Sequence, residues 1–332
     1  MIGLRPKFMD SPYFVPEFNN WHLLPGAPEE VVKEFEEFKK RIVEGLQEIY
    51  GDDARIETGV ALRNNGSKYN GIRIFLKSSG SRVSPTLDLD RLYESFENGI
   101  INIEDCIWDI CNSRTALSGF KDVERFVENI SEWEYVKDDI YPVLLPTEKN
   151  QELLGKLVST PILDLSVVYI IRRGIPGKNI MSIKITQRLM ESYEITPEQL
   201  HRQAMINMKK DGYEFLDMES LIMEMAGMEG TIGKQDDAKS EMYILTNAAR
   251  AYGAAGILNK ELLQEFAGSR NFIILPSSLH EMIFVPMTDD TDQTFFDEMV
   301  KEVNRNEVSV EERLADHSYY YDSQAGEIRM CA

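Results

Sequence analysis

Apolar residues recur every three or four positions in some parts of the chain and every second position in others, and the two periods mark helices and strands. The clearest helical face is Val31, Phe35, Phe38, Ile42, Leu46 and Ile49. Pro28 stands at its first position and Gly51 where a left-handed terminal residue belongs. Ile56, Thr58, Val60 and Leu62 then alternate, Asn64-Asn65-Gly66 turns the chain, and Ile72, Ile74 and Leu76 alternate on the way back. This pattern predicts a β-hairpin. Two helices follow, one on Leu89, Leu92, Tyr93 and Phe96, the other on Ile103, Cys106, Ile107, Ile110 and Cys111 with Asn102 as N-cap. Phe120, Val123, Phe126, Val127 and Ile130 predict a third.

In the second half the period shortens. Residues 138–145 read as extended, and Val167–Ile171 is the most β-like run. Gly174 to Gly177 turn it back toward Ile180–Ile185. Thr196-Pro197-Glu198-Gln199 is a capping box before a helix on Leu200, Ala204 and Met208. Residues 227–241 read as a charged, glycine-rich surface loop. The densest core-forming stretch is Met242 to Pro286, with a small-residue patch at 253–256. Phe295, Met299 and Val303, with Phe296 and Val300 beside them, predict a late helix, Ser309 with Glu312 a second capping box, and Ser318 to Met330 a strand, turn and strand. The pattern as a whole predicts an α+β fold of antiparallel hairpins and sheets packed with amphipathic helices. The expected division is an irregular arm at 1–27, an N-terminal α+β subdomain at 28–157 and a C-terminal α+β subdomain at 158–332.

Composition narrows the function. The 332 residues carry 56 acidic and 36 basic side chains, a formal net charge of −20. That field repels a phosphate backbone. Arg172, Arg173, Lys178, Lys184 and Arg188 are the densest run of cations, and their loose spacing reads as a solvated hairpin edge. A protein partner is therefore expected before a nucleic acid. Cys106, Cys111 and Cys331 have no paired spacing, and the four histidines stand far apart. Neither a disulfide framework nor a local metal site is predicted, and no cofactor. No apolar run approaches the ~20 residues of a membrane helix, so the expected location is the cytoplasm.

Three chemical readings were weighed. Gly227 to Lys234 imitates a phosphate loop, but its first glycine is misplaced and Gln235 stands where a magnesium-binding hydroxyl belongs. His280-Glu281 lacks the second histidine of a zinc-protease helix, since position 284 is Phe. Ser278 with His280 is the remaining catalytic candidate, with Ser277 as an alternative nucleophile and Glu281 as orienter. Strand alternation turns Glu281 away from the other two, and turn chemistry accounts for both serines. Asp88 and Asp90 read as caps, Asp164 as an acid that caps a turn or pairs with a cation.

Several blocks, among them NNGSKYNGIRI, SPTLDLDRLYESFENG, TPILDLSVVYII, NFIILPSSLHEMIFVP and YYYDSQAGEIR, resemble a bacterial family of unknown function numbered 5688, over about residues 30–330. The resemblance implies a Gram-positive, gut-type bacterial source with genes near mobile elements, and no activity or site. The expected function is that of a non-catalytic cytoplasmic binding or accessory protein. The alternatives are a serine-type hydrolase using Ser278 and His280, and a nucleic-acid-associated regulator.

Overall fold

In a computed structural model, the chain is described at residues 13–17, 20–23, 26, 28–79, 84, 86–97, 99–118, 125–126, 128–174, 180–219, 242–288 and 291–330. It divides into two compact units, Met1–Glu132 and Trp133–Ala332. Both are α+β, and every strand pairing among the described residues is antiparallel.

The N-terminal unit opens with a hairpin where an irregular arm was expected. Strand β1 (Phe14–Glu17) pairs with β2 (Asn20–Leu23). Prolines and scattered aromatics hide its alternation. Helix α1 (Glu29–Tyr50) follows, with Pro28 at its N-cap and Gly51 closing it at φ 57°. Its predicted stripe is real at Val31, Phe38, Ile42 and Leu46, which are buried, whereas Ile49 is exposed. Strands β3 (Ala54–Leu62), β4 (Lys68–Leu76) and β5 (Leu87–Asp88) form one sheet in that order. The predicted turn sits at 64–66, with Asn65 and Gly66 left-handed. Helices α2 (Leu89–Glu97) and α3 (Ile103–Ser118) complete a core shared by Ile42, Leu46, Ile72, Leu89, Tyr93 and Ile110. Asn102 and Asp105 cap α3 reciprocally, at 2.8 and 3.0 Å. Of the helix predicted at 120–130, only 125–126 and 128–130 are described; 125–126 and 128–129 are helical, 130 is a turn, and Phe126 is buried.

The break falls at 132/133, not near residue 157, because strands on both sides of 157 share one sheet. Strand β6 (Ile140–Pro146) pairs along its whole length with β8 (Leu165–Gly174). On the other side of β8 lie β7 (Ser159–Ile162) and β9 (Ile180–Lys184). Helix α4 (Pro197–Lys209) packs on β6 and carries the predicted capping box at Thr196 and Gln199.

A six-stranded sheet completes this unit in the order β10 (Glu214–Asp217), β11 (Tyr243–Thr246), β13 (Glu281–Pro286), β12 (Phe272–Ser278), β14 (Tyr319–Asp322), β15 (Glu327–Met330). One face meets α5 (Lys260–Ala267) through Phe215, Phe266, Phe272 and Phe284, whose rings stack or meet edge to face. The other face meets α6 (Gln293–Asn306) through Ile273, Leu275 and Val300. Of the predicted apolar set, the Phe296, Met299 and Val300 side faces the sheet. Phe296 and Met299 pack inward, Val300 and Asn304 are buried, and Phe295 and Val303 are exposed. Asn304 is held inside by bonds to the Ala315 carbonyl and Asp316. Ser309 and Glu312 start no α-helix. Residues 310–312 make a single 3-10 turn, and the Ser309 side chain caps nothing. The loop predicted at 227–241 lies outside the described residues.

The small-residue patch forms a buried 3-10 helix, Gly253–Leu258, packed against β6, β11 and β13. A Cβ on Gly253 would lie 2.5 Å from the His280 carbonyl oxygen and 2.9 Å from the Asn247 amide, both backbone atoms that cannot swing aside. Gly253→Ala is therefore expected to destabilise the C-terminal unit by about 1–3 kcal/mol. Gly59→Ala, whose Cβ meets open space on an exposed strand, should be neutral or slightly stabilising. Urea unfolding of the two variants against the parent checks the contrast.

Candidate functional site

Three polar clusters of the C-terminal unit bear on the candidate residues. The first surrounds the candidate catalytic residues. Strands β12 and β13 are joined by the two-residue turn Leu279-His280, with Ser278 opposite Glu281. This turn brings Ser277, Ser278, His280 and Glu281 close together, yet their bonds run elsewhere. The Ser278 hydroxyl accepts the His280 backbone N–H at 3.0 Å. Ser277 donates to Glu281 at 3.2 Å. His280 Nδ1 accepts the Tyr252 N–H at 3.2 Å, which leaves Nε2 to carry the proton, facing Glu312 at 3.5 Å. A nucleophile needs a base within reach of its hydroxyl and an acid on the base's other nitrogen. Here the acid nearest the ring is Glu312, and the ring supports a backbone amide.

That amide belongs to a strained turn. Arg250 and Tyr252 both have left-handed backbone, at φ 49° and 59°, a conformation costing a residue with a Cβ about 1 kcal/mol or more. Tyr252 is held by His280 and by its hydroxyl, 3.2 Å from Ser182 Oγ. Nothing in local spacing announces this arrangement, because 28 residues separate Tyr252 from His280.

The second cluster is buried. Arg172, 8% exposed, bonds Asp211 and lies over the Tyr141 ring at 3.9 Å. Asp211 also accepts from Asn247 at 2.9 Å, and Asn247 holds both the carbonyl and the amide of Ala251. Burial, and then the charge of Asp211, push the neighbouring Tyr213 phenol well above its usual range. This cluster dissolves much of the cation run read from the sequence. Arg173 bonds Asp139 and Tyr135, and Lys178 lies outside the described residues. Lys184 and Arg188 are exposed.

The third cluster answers the question posed by Asp164. It sits in the tight turn between β7 and β8, after Leu163 at φ 53°. One carboxylate oxygen accepts the Tyr319 hydroxyl at 2.8 Å and the other faces His317 Nε2 at 3.0 Å. His317 Nδ1 faces the Ser318 carbonyl at 3.0 Å. Both ring nitrogens thus meet acceptors, an environment that suits the imidazolium. The hydrogen bond that His317 donates to Asp164 raises the His317 pKa against the opposing effect of burial. Burial pushes the Asp164 carboxyl up, but the bonds from His317 and Tyr319 outweigh it and hold the pKa below its usual value. The partners are 153 residues apart in the chain, so no sequence period could pair them.

Asp88 and Asp90 do what their positions predict for the first of them. Asp88 accepts the N–H groups of Asp90 and Arg91 at the start of α2, and pairs with Arg63. Asp90 instead binds the backbone and side chain of Asn70. Among the described residues no three or more His, Cys, Asp or Glu side chains could hold a metal ion. No helix among them is long and apolar enough to cross a membrane. Cys106 is buried beside acidic neighbours, and burial first, then those charges, push its thiol up to about 11. Such a thiol is inert.

A groove of about 350 Å³ opens on the α6 side of the last sheet, floored by Ile273, Tyr320 and Arg329 and walled by Met287 and Gln293. Its lining combines apolar side chains with one cation, Arg329.

A family model described as a family of unknown function, DUF5688, matches residues 35–323 and bears out the resemblance carried by the sequence blocks. No curated protein and no solved structure matches the chain.

The Asp164–His317 pair gives stability a pH dependence whose sign is fixed. The raised histidine pKa contributes stability in full below about 6.5 and loses it as pH rises through the folded value. The lowered Asp164 contributes above about 3.9 and loses its share as pH falls through its folded value. Both are present near about pH 5.5. Urea midpoints of the parent should therefore fall between about pH 5.5 and about pH 9 more steeply than those of Asp164→Asn. Parallel curves would show that the pair carries no linkage.

Proposed function

We propose a non-catalytic binding role, through a protein partner, for this chain, which belongs to the DUF5688 family of unknown function. The observation that carries the reading is the placement of His280. Its Nδ1 supports the Tyr252 amide and its Nε2 faces Glu312, so neither nitrogen is offered to Ser278. Two further features support it. The charged groups of the C-terminal unit's interior, Arg172 and Asp211 above all, bond each other and nearby backbone. The groove beside β14 and β15 offers an apolar floor at the surface.

The proposed place of action is the cytoplasm, which suits three cysteines without paired spacing. An accessory role for a bacterial mobile element, implied by the family resemblance, belongs to the same proposal. The hydrolase reading, with Ser278 as nucleophile and His280 as base, is the second choice. It is favoured only by their closeness in one turn. The nucleic-acid reading is third, since Arg172 and Arg173 are engaged in ion pairs and the net charge is −20.

A fluorophosphonate probe separates the first two. The expected result is no covalent labelling of the folded protein. Labelling that disappears in Ser278→Ala would overturn the binding role in favour of hydrolysis.

A further inference from the structure

We propose that the outer edge of β15 pairs with β15 of a second copy of this chain, joining two sheets across a two-fold axis. The inference concerns self-association and stands whether or not the binding reading above holds. Among the described residues β15 pairs with β14 alone and ends the six-stranded sheet. A strand edge presents unpaired backbone donors and acceptors, and natural edges are blunted by shortness, charge, proline or bulges. Strand β15 reads Glu-Ile-Arg-Met, a short edge without proline or bulge whose two charges are of opposite sign, and it keeps regular register with β14 along its length.

Charge selects the occupant. Register places Arg329 beside Tyr320, and Tyr320 beside Ile273. Glu327, two residues from Arg329, stands on the same face. Ile328 pairs with Tyr321 on the opposite face. In an antiparallel pairing centred on Ile328, Glu327 lies opposite Arg329 of the second copy and Arg329 opposite Glu327. The same strand on both sides satisfies both contacts, as an isologous interface requires. The two Ile328 side chains meet on the other face. Opposite charges directly across a strand pair stabilise it, and like charges destabilise it. Both side chains are available, at 56% and 52% exposure, and Arg329 at present shares its charge between Asp322 at 3.2 Å and Glu327 at 3.7 Å.

The same alternation occurs at Arg55-Ile56-Glu57 on β3, an edge of the N-terminal sheet. There a charge-matched register centred on Ile56 would use only the first residues of a nine-residue strand. The other edge of interest, β6, contains Pro142. Of these three edges, β15 is the one that sequence and register fit best. A four-residue pairing buries less than the roughly 1,200 Å² of a stable interface, so the dimer is expected to exchange with monomer at micromolar concentrations.

Sedimentation velocity across a concentration series tests the proposal. The parent should shift from monomer to dimer mass as concentration rises. Glu327→Arg alone and Arg329→Glu alone place like charges opposite and should each weaken dimerisation about tenfold or more. The double swap Glu327→Arg/Arg329→Glu should restore it. Mixing the two single variants should give a heterodimer, which also shows that both are folded. Monomer at every concentration, or a dimer indifferent to the two reversals, overturns the proposal.

Discussion

At Gly253 the chain passes so close beneath the His280 carbonyl that one added carbon would lie 2.5 Å from its oxygen. Much of the C-terminal unit is arranged around that contact. The approach lets the Gly253–Leu258 turn lodge against strands of two sheets, β6 of one and β11 and β13 of the other. Gly256 repeats the constraint a turn later, where a Cβ would meet Tyr213 at 2.7 Å and Leu245 at 3.0 Å. Entering so tight a space bends the preceding residues into left-handed backbone at Arg250 and Tyr252. The strain is held by bonds that converge from elsewhere: His280 to the Tyr252 amide, Asn247 to Ala251, and Thr246 to the His280 carbonyl at 2.9 Å. Arg172 and Asp211 then anchor the same loop from beneath. In this geometry His280 braces a backbone turn.

Local rules were legible where the responsible atoms are close in sequence. The stripe of α1, the Asn-Asn-Gly hairpin, the Thr196 capping box and the Asn102 cap each depend on residues within a few positions, and each is present. The departures share a different cause. Helix α6 has two overlapping apolar stripes, and the choice between Phe295 and Phe296 is made by Ile273 and Leu275 on a strand before it. Ser309 and Glu312 have capping-box spacing, but the chain continues toward Leu314 and Ala315, which are buried without helix. The division at 132/133 depends on β6 finding β8, a tertiary pairing with no mark in composition. Of the candidate site, proximity of Ser277, Ser278, His280 and Glu281 was legible because they flank one turn. The partners that decide their chemistry, Tyr252 and Glu312, were not.

Perturbed ionisation clusters at active sites, but structural ion pairs perturb it as well. The Asp164–His317 cluster illustrates the second case. An Asp–His pair in a hydrolase leaves one imidazole nitrogen to take a proton. His317 instead faces acceptors on both sides, one of them the carbonyl of the next residue. The cluster closes the strained Leu163-Asp164 turn against the segment leading into β14. Neighbouring bonds tighten the same seam: Asp297 accepts from both the amide and hydroxyl of Ser318, and Lys149 pairs with Asp316. Its charge chemistry is thus accounted for by holding a turn against a strand.

The acidic composition acquires a sharper meaning from this arrangement. Arg172, Arg173 and His317 are all engaged with carboxylates, and the repulsion from a net charge of −20 is largely screened beyond the ~8 Å Debye length of physiological salt. Within that length, local pattern rather than net charge decides. A short edge carrying Glu and Arg two residues apart presents its own complement when turned about a two-fold axis, whereas a uniformly acidic edge would repel its copy. Strand β15 lies beside the apolar groove floored by Ile273 and Tyr320. Such short-range self-complementarity favours few, weak and specific contacts.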